Sequence, residues 1–219
     1  MPNSPHPMLI AHNKDIITSL REVSRSQPLR LLTSACMVGE PCGIDGSDYG
    51  MGGTLAEFES HPLIKMLPFC PERSSMGVPR GMPDIHGGDG FDVIAGRAKV
   101  LDENSNDLTE AMIAGAQNML KFAMEEKAEL AILTDMSAAC GSQVISDGCR
   151  LRENRRYQVG VGVATALLLE YGIPCCSQRD FKSLALLQTK LGIKPRSLDD
   201  GKDHHMTDWF LETFGDRSS

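Results

Sequence analysis

The stretch Leu29–Cys36, LRLLTSAC, is an apolar run that ends at a cysteine, and the fold can be worked out from it. Its aliphatic residues follow Pro28 and predict a strand over Leu29–Ser34. The same order, an apolar run and then a cysteine, recurs at Leu63–Cys70 and again at Glu129–Cys140. We therefore predict three strands that each run out shortly before or at a cysteine.

Helical patterns alternate with these apolar runs. The spacing predicts a helix from Asp107 or Thr109 through Lys127, a helix over Val159–Tyr171, a strand at Ile173–Cys176 and a helix over Phe181–Leu191. Alternation of this kind favours an α/β fold, a mostly parallel sheet with helices on both faces in a Rossmann-like arrangement.

The segments between these elements are less regular. They are a short amphipathic helix at Asp15–Val23, a helix around Leu55–Glu59, a long ordered loop at Arg73–Gly90, and a strand or hairpin at Phe91–Asp102. The loop holds five glycines and two prolines with few large apolar residues, a composition typical of loops that carry function.

The 219 residues are predicted to form one compact unit with appended ends. Residues 1–28 form an N-terminal extension, residues 29–177 the α/β domain, and residues 178–219 a C-terminal helical extension packed on the same unit. In the tail, the amphipathic stretch Met206–Phe214 is expected to dock on the body or on another subunit, whereas His204 and His205 are expected to be solvated.

Charge and hydropathy restrict the partners. The net charge of −7 disfavours nucleic acid, whose binding relies on Lys and Arg, and favours a small-molecule ligand. The longest apolar run, Val159–Leu169, is shorter than the ~20 residues that span a bilayer, so we expect no membrane partner. The amino end lacks the pattern of an export signal, so we expect a cytoplasmic protein. The sequence leaves the oligomeric state open.

Seven cysteines at irregular spacing are expected to be reduced in the cytoplasm, which favours metal binding or catalysis over disulfides. Parallel sheets bind ligands beyond the carboxyl ends of their strands, where Cys36, Cys70 and Cys140 could converge. Without a C-x-x-C pair, however, simple burial is the better interpretation of any one cysteine taken alone.

Three short motifs resemble those of a known family. Residues 34–46 (SACMVGEPCGIDG), Pro68–Glu72 (PFCPE) and Ser137–Gly141 (SAACG) follow the order of motifs in the bacterial thiouracil desulfidase family. The resemblance covers roughly Leu29–Ser177, about two-thirds of the chain, one domain by ordinary size.

The resemblance implies an iron-sulfur enzyme. A 4Fe-4S cluster would be held by three cysteine ligands, Cys36, Cys70 and Cys140, with one iron left open. The implied reaction is a non-redox hydrolytic desulfuration of a thiolated pyrimidine, thiouracil or its nucleoside monophosphate, with the substrate sulfur at the open iron. The products would be the oxo-pyrimidine and hydrogen sulfide, and the expected partner is this small-molecule thiopyrimidine.

The resemblance also implies roles for four other side chains. Glu72 and Ser137 are expected to be catalytic and to handle the protons of water and of the leaving sulfur. Asp45 and Arg80 are expected to bind substrate or to hold loops. Taken alone, Glu72 is typical of a surface carboxylate, Ser137 of a helix cap, and Asp45 and Arg80 of turn or ion-pair residues.

The remaining cysteines are not expected to be ligands. Cys42 is expected near the site without binding the cluster, and Cys149, Cys175 and Cys176 are expected to be core or incidental.

Several residues depart from the family motifs, and they leave the substrate preference open. Ala138 and Ala139 replace Pro and Ser, Thr134 and Asp135 stand where Lys is common, and Gly43 and Ile44 replace Arg and Tyr.

Other functions stay open at this stage. One is desulfuration of 4-thiouridine in tRNA, which the acidic charge disfavours. Another is a non-catalytic module in which the three thiolates hold zinc or an iron-sulfur cluster and nothing turns over. A third is a degenerate relative whose Ala138 and Ala139 have altered the shape of the binding loop.

Overall fold

This computed structural model describes residues 13–195 and 201–215, which contain eight strands, eight α-helices and two short 3-10 helices. The strands are β1 (Leu29–Ser34), β2 (Ile64–Phe69), β3 (Asp84–His86), β4 (Lys99–Leu101), β5 (Leu130–Leu133), β6 (Val144–Ser146), β7 (Tyr157–Val159) and β8 (Cys175–Ser177). The helices are α1 (Asn13–Ser19), α2 (Ala56–Glu59), α3 (Pro71–Met76), α4 (Gly90–Ile94), α5 (Thr109–Glu125), α6 (Val163–Glu170), α7 (Phe181–Lys190) and α8 (Asp208–Phe214).

A four-stranded parallel sheet lies at the centre, in the order β2-β1-β5-β8. β1 pairs with β2 along its whole length, from Leu29 opposite Ile64 to Ser34 opposite Phe69, and pairs with β5 on its other side. Two small antiparallel pairs, β3 with β4 and β6 with β7, lie outside this sheet. The predicted mostly parallel sheet is confirmed.

The side chains of the central strands divide between two cores, because successive residues of a strand point to opposite faces. Leu31 and Leu130 lie in one core, which α1, α2 and α7 complete. Leu32 and Leu133 lie in the other, which α5 and α6 cover. Helices therefore pack on both faces of the sheet, as predicted.

Segments outside the predicted domain contribute to these cores. Ile17 of α1 and Leu187 of α7 are buried in the same core as β1, and Phe210 of α8 is buried in the tail. The expectation that His204 is solvated is wrong, since only 2% of it is exposed. The boundaries at residues 28 and 177 remain a prediction, and parts of both predicted extensions lie outside the described residues.

Two predictions between residues 73 and 102 are wrong in detail. The predicted loop Arg73–Gly90 contains most of α3 and all of β3, and the predicted strand or hairpin Phe91–Asp102 begins inside α4. Asp89 and Asp92 form a capping box at the start of α4, each side chain accepting a backbone N–H from the other end of the turn. This pairing stabilises a short helix that hydrophobic spacing does not reveal.

A close backbone crossing joins α6 to the segment that carries Cys140. The first N–H groups of α6 donate to the carbonyls of Ala138 and Ala139 at 2.9 Å. A β-carbon on Gly162, the residue before α6, would lie 2.4 Å from the Ala139 carbonyl, so only glycine fits there. The predicted helix Val159–Tyr171 therefore begins only after this crossing, and its first residues belong to β7 and a connection.

A search of the described residues finds no helix long and apolar enough to cross a membrane.

We expect Leu31→Ala to lower the free energy of unfolding by about 2–5 kcal/mol, because it leaves a cavity in a packed core. Leu31 is fully buried in the central strand. Urea unfolding measures the change, and Leu151→Ala is the matched control, since Leu151 is 59% exposed. The control should change stability by less than about 0.5 kcal/mol. Equal losses in both variants would contradict the central place of β1.

Candidate active site

Three cysteines follow neighbouring strands at one edge of the central sheet. Cys36 lies in a 3-10 turn directly after β1, Cys70 lies between β2 and α3, and Cys140 lies in the loop after β5. Because β2, β1 and β5 are parallel neighbours, their carboxyl ends meet at the same edge. All three cysteines line one cavity of about 310 Å³.

A fourth thiol, Cys42, contacts two of these cysteines. It is buried, lines the same cavity, and hydrogen-bonds with both Cys36 and Cys70. Its hydrogen bond is the main cause that lowers the pKa of Cys36 to about 7, and it also holds the pKa of Cys70 below the ordinary value. Interaction with Cys36 and Cys70, together with burial, raises the pKa of Cys42 above its ordinary value.

Cys140 is more enclosed, with only 6% of its surface exposed. Burial raises its pKa well above the ordinary value, and the charges of Cys70, Glu72 and Cys36 raise it further, although a hydrogen bond with Ser34 opposes them. A bound metal offsets this penalty, because it neutralises the charge and strips the thiol of its proton. Three thiolates at this edge therefore suit a cationic centre.

The donor set fits an iron-sulfur cluster, whose irons are held by cysteine thiolates. Over residues 13–195 and 201–215, no three His, Cys, Asp or Glu side chains are arranged to hold a single metal ion. The absence of a single-ion arrangement does not conflict with a cluster. Each cysteine of a cluster binds a different iron, so the sulfur ligands stand further apart than they do around one ion.

Glu72 and Arg80 form a buried ion pair on the wall of the cavity. Oε2 of Glu72 accepts from Nη2 of Arg80 at 2.7 Å and from Nε at 3.1 Å. The other guanidinium N–H groups donate to the carbonyls of Cys42, Gly43 and Gly77. A guanidinium has five N–H groups. All five are bonded to protein, so Arg80 positions Glu72 and the Cys42 loop. A substrate contact by Arg80 stays a prediction.

Ser137 connects Glu72 to the loop that carries Cys140. Its hydroxyl accepts the N–H groups of Ala139 at 3.2 Å and Cys140 at 3.1 Å, and donates to Oε1 of Glu72 at 3.3 Å. The hydroxyl thus acts as a local cap and also faces a carboxylate. The structure brings these two residues, predicted to be catalytic, together beside the cysteines, and their catalytic roles stay a prediction.

Asp45 is exposed and does not line the cavity. Its Oδ1 accepts from the backbone N and the hydroxyl of Ser47 at 2.9 and 2.7 Å, and these bonds lower the pKa of Asp45. This geometry is that of a turn residue. A substrate contact by Asp45 stays a prediction.

Tyr49 lies on the cavity wall close to Gly43. Its hydroxyl accepts the N–H of Ile44 at 2.6 Å, and a β-carbon on Gly43 would lie 2.7 Å from the Tyr49 ring. Glycine at residue 43 therefore leaves room for an aromatic ring against the cavity. The sequence alone did not indicate Tyr49.

Arg150 is a second basic side chain on the cavity wall that the sequence did not indicate. Its Nε lies 2.6 Å from Oδ1 of the buried Asp84, and its Nη1 donates to the carbonyl of Met136 at 2.9 Å. Asp84 and Arg150 are 66 residues apart, so no local pattern reveals their pairing.

A family model and a solved structure both connect this chain with thiouracil desulfurization. A model of the family described as 2-thiouracil desulfurase matches residues 31–180. The uncharacterized protein YbbK of Bacillus subtilis (strain 168) is 31% identical over 158 residues, which cover 70% of this chain and 99% of that protein. The solved structure of the 4Fe-4S-dependent thiouracil desulfidase TudS is 28% identical, with a TM-score of 0.58, covering 74% of this chain and 98% of that one. More than a quarter of this chain thus lies outside each match.

In the metal-free protein, we expect alkylation of Cys36 by iodoacetamide to reach half its maximal rate near pH 7. The thiolate is the reactive form, so a lowered pKa moves the rise in rate to lower pH. Mass spectrometry of the Cys36 peptide over a pH series measures this midpoint. Cys42→Ala removes the hydrogen bond and should move the midpoint up, toward the ordinary 9.0.

Cys149→Ala is the matched control, because Cys149 lines a different cavity and should leave the midpoint unchanged. Cys175, whose pKa burial raises, should stay unmodified over the same range. A midpoint that does not move in Cys42→Ala would contradict the contact between Cys36 and Cys42.

Proposed function

The chain belongs to the 2-thiouracil desulfurase family, and we propose that it removes the sulfur of a thiolated pyrimidine by hydrolysis. The substrate is thiouracil or its nucleoside monophosphate, and the products are the oxo-pyrimidine and hydrogen sulfide. One observation carries this proposal: three strand-end cysteines line the same cavity as the hydrogen-bonded pair Ser137 and Glu72. This arrangement supports a metal-dependent reaction that also needs proton transfer.

Cys36, Cys70 and Cys140 are the ligands in this proposal, and the 4Fe-4S dependence of TudS supports a cluster here. Bound through three cysteines, the cluster supplies an iron without a protein ligand, a thiophilic Lewis acid for the substrate sulfur. The Cys42 thiol lies beside two of the ligand sulfurs, and its single S–H can donate to one of them at a time. Hydrogen bonds of this kind tune a cluster without adding a ligand.

The cavity suits a small planar ring. Its volume of about 310 Å³ lies at the lower end of the ~300–1,000 Å³ typical of small-molecule sites. Phe69, Met51 and Met82 give it apolar walls for the faces of a pyrimidine, and its polar groups can fix the ring's edge. The net charge of −7 also supports a free base or nucleotide over tRNA.

Glu72 is placed to accept and return a proton. Arg80 occupies its Oε2, whereas its Oε1 faces Ser137. Hydrolysis forms a carbon–oxygen bond and breaks the carbon–sulfur bond, and both protons of the attacking water end on the released sulfide. Oε1 of Glu72 takes a proton from the water and passes it to the leaving sulfur, while the Ser137 hydroxyl keeps that oxygen oriented.

The anaerobically purified protein is expected to contain iron and acid-labile sulfide and to release sulfide from 4-thiouracil or 4-thio-UMP. Cys140→Ala removes a ligand and should lose both the iron and the sulfide release, whereas Cys176→Ala, a buried cysteine elsewhere in the core, should keep both. A colourless zinc protein that stays inert after iron reconstitution would support the non-catalytic module instead. Release from thiolated tRNA alone would support the tRNA alternative.

Glu72→Gln is expected to lower kcat for sulfide release by about 10²–10⁴-fold, because an amide cannot accept the proton. Its iron content should match wild type, since Glu72 is not a ligand. Glu59→Gln is the matched control on the exposed surface and should leave kcat unchanged. Wild-type kcat in Glu72→Gln would remove Glu72 from the proton path.

A further inference from the structure

The tail of the chain reaches the loop that carries Cys140 through a buried pair of side chains. Nδ1 of His204 lies 2.6 Å from Oδ2 of Asp135, and both side chains are almost completely buried. Burial by itself would raise the pKa of Asp135, but the interaction with His204 and the backbone N–H donors hold it below the ordinary value. The pair is therefore a stable charge-assisted contact inside the protein.

Asp135 lies at the start of the loop that carries Cys140, and its carboxylate hydrogen-bonds to the residues at the end of that loop. Its Oδ1 accepts the backbone N–H groups of Ser142, Gln143 and Val144 at 3.0 to 3.1 Å. Asp135 precedes the loop and these three residues close it, so Ser137 and Cys140 lie in the segment between them. A shift of the Asp135 carboxylate would therefore move the segment that carries a predicted ligand and a predicted catalytic hydroxyl.

The tail holds His204 in place by contacts on several sides. The backbone N of His204 donates to Oδ1 of Asp180 at 3.1 Å, and the side chain of Asp203 accepts two hydrogen bonds from Ser183 at the start of α7. The His204 ring stacks on Trp209, with ring centroids 5.5 Å apart. Its other ring nitrogen, Nε2, is buried without a partner among the described residues. The ring therefore makes its hydrogen bond to Asp135 from a fixed position.

His204 lies beyond the family match, which ends at residue 180, whereas Asp135 stands inside it. The matches to YbbK and TudS span nearly all of those proteins but only 70% and 74% of this chain. The contact thus joins the shared domain to a segment additional to it.

We propose that His204 and Asp135 form a positioning pair through which the C-terminal tail sets the loop that carries Ser137 and Cys140. Asp135 lines the cavity and His204 does not, and the pair acts through the backbone N–H groups whose hydrogen bonds Asp135 accepts. The inference rests on the proposed function for the roles of Ser137 and Cys140, and on geometry for the link between tail and loop.

Three variants separate the hydrogen bond from packing. His204→Phe keeps an aromatic ring against Trp209 and loses the donor, whereas His204→Asn keeps a donor near the Nδ1 position and loses the ring. His205→Phe is the matched control, because the neighbouring histidine is not among the contacts of Asp135. If His204→Phe does not fold, His204→Gln is used in its place. The amide donor of Gln lies one bond further along the side chain than Nδ1 of His204, so this variant also lacks a donor at the Nδ1 position.

Hydrogen–deuterium exchange in the metal-free protein is the first readout. The amides of Ser142, Gln143 and Val144 should exchange faster in His204→Phe than in wild type, and at the wild-type rate in His204→Asn and His205→Phe. In the iron-loaded protein, a chelator should remove iron roughly 10–100-fold faster from His204→Phe, with an altered EPR spectrum of the reduced cluster.

Wild-type exchange and wild-type iron release in His204→Phe would overturn the proposal. Equal damage in His204→Phe and His204→Asn would overturn it too, because the effect would then result from ring packing alone. If wild type holds a cluster but releases no sulfide from any thiopyrimidine, the proposed function fails. Faster exchange in His204→Phe would in that case still support the positioning pair.

Discussion

The parallel pairing of β1 with β2 on one side and β5 on the other determines where the chemistry of this protein can lie. Parallel neighbouring strands end at the same edge of the sheet. Strand pairing alone therefore brings together the residues that follow each strand. Cys36, Cys70 and Cys140 come from three separate regions of the sequence and share a cavity for this reason. The alternation of side chains within the same strands builds the two cores that hold this edge rigid.

Around this edge, the protein buries charged side chains and satisfies each through several partners. Arg80 uses all of its donors on Glu72 and three carbonyls, and Asp135 accepts three backbone N–H groups. A buried charge left unpaired is strongly destabilising, so these side chains have little freedom to reorient. The cavity wall is therefore preorganised, which suits a site where charge develops during reaction.

How much the sequence predicts depends on whether the signal is local. The bounds of β1 agree with the prediction at both ends, because an apolar run after a proline is a strong local signal. α4 was missed because its stability comes from a capping box, and the burial of His204 was missed because its partner is 69 residues away. The contact between Glu72 and Ser137 spans 65 residues, and only the family resemblance pointed to both.

The contact between His204 and Asp135 also has a consequence for biosynthesis. A ribosome makes the chain from its amino end, so β1, β2 and β5 are complete long before residue 204 exists. Until then Asp135 lacks its ring partner, and its carboxylate is held by the backbone donors of Ser142, Gln143 and Val144 and by the Ser177 hydroxyl. With the role proposed for this pair, the edge that carries the three cysteines reaches its final form only after residue 204 has been made and has docked.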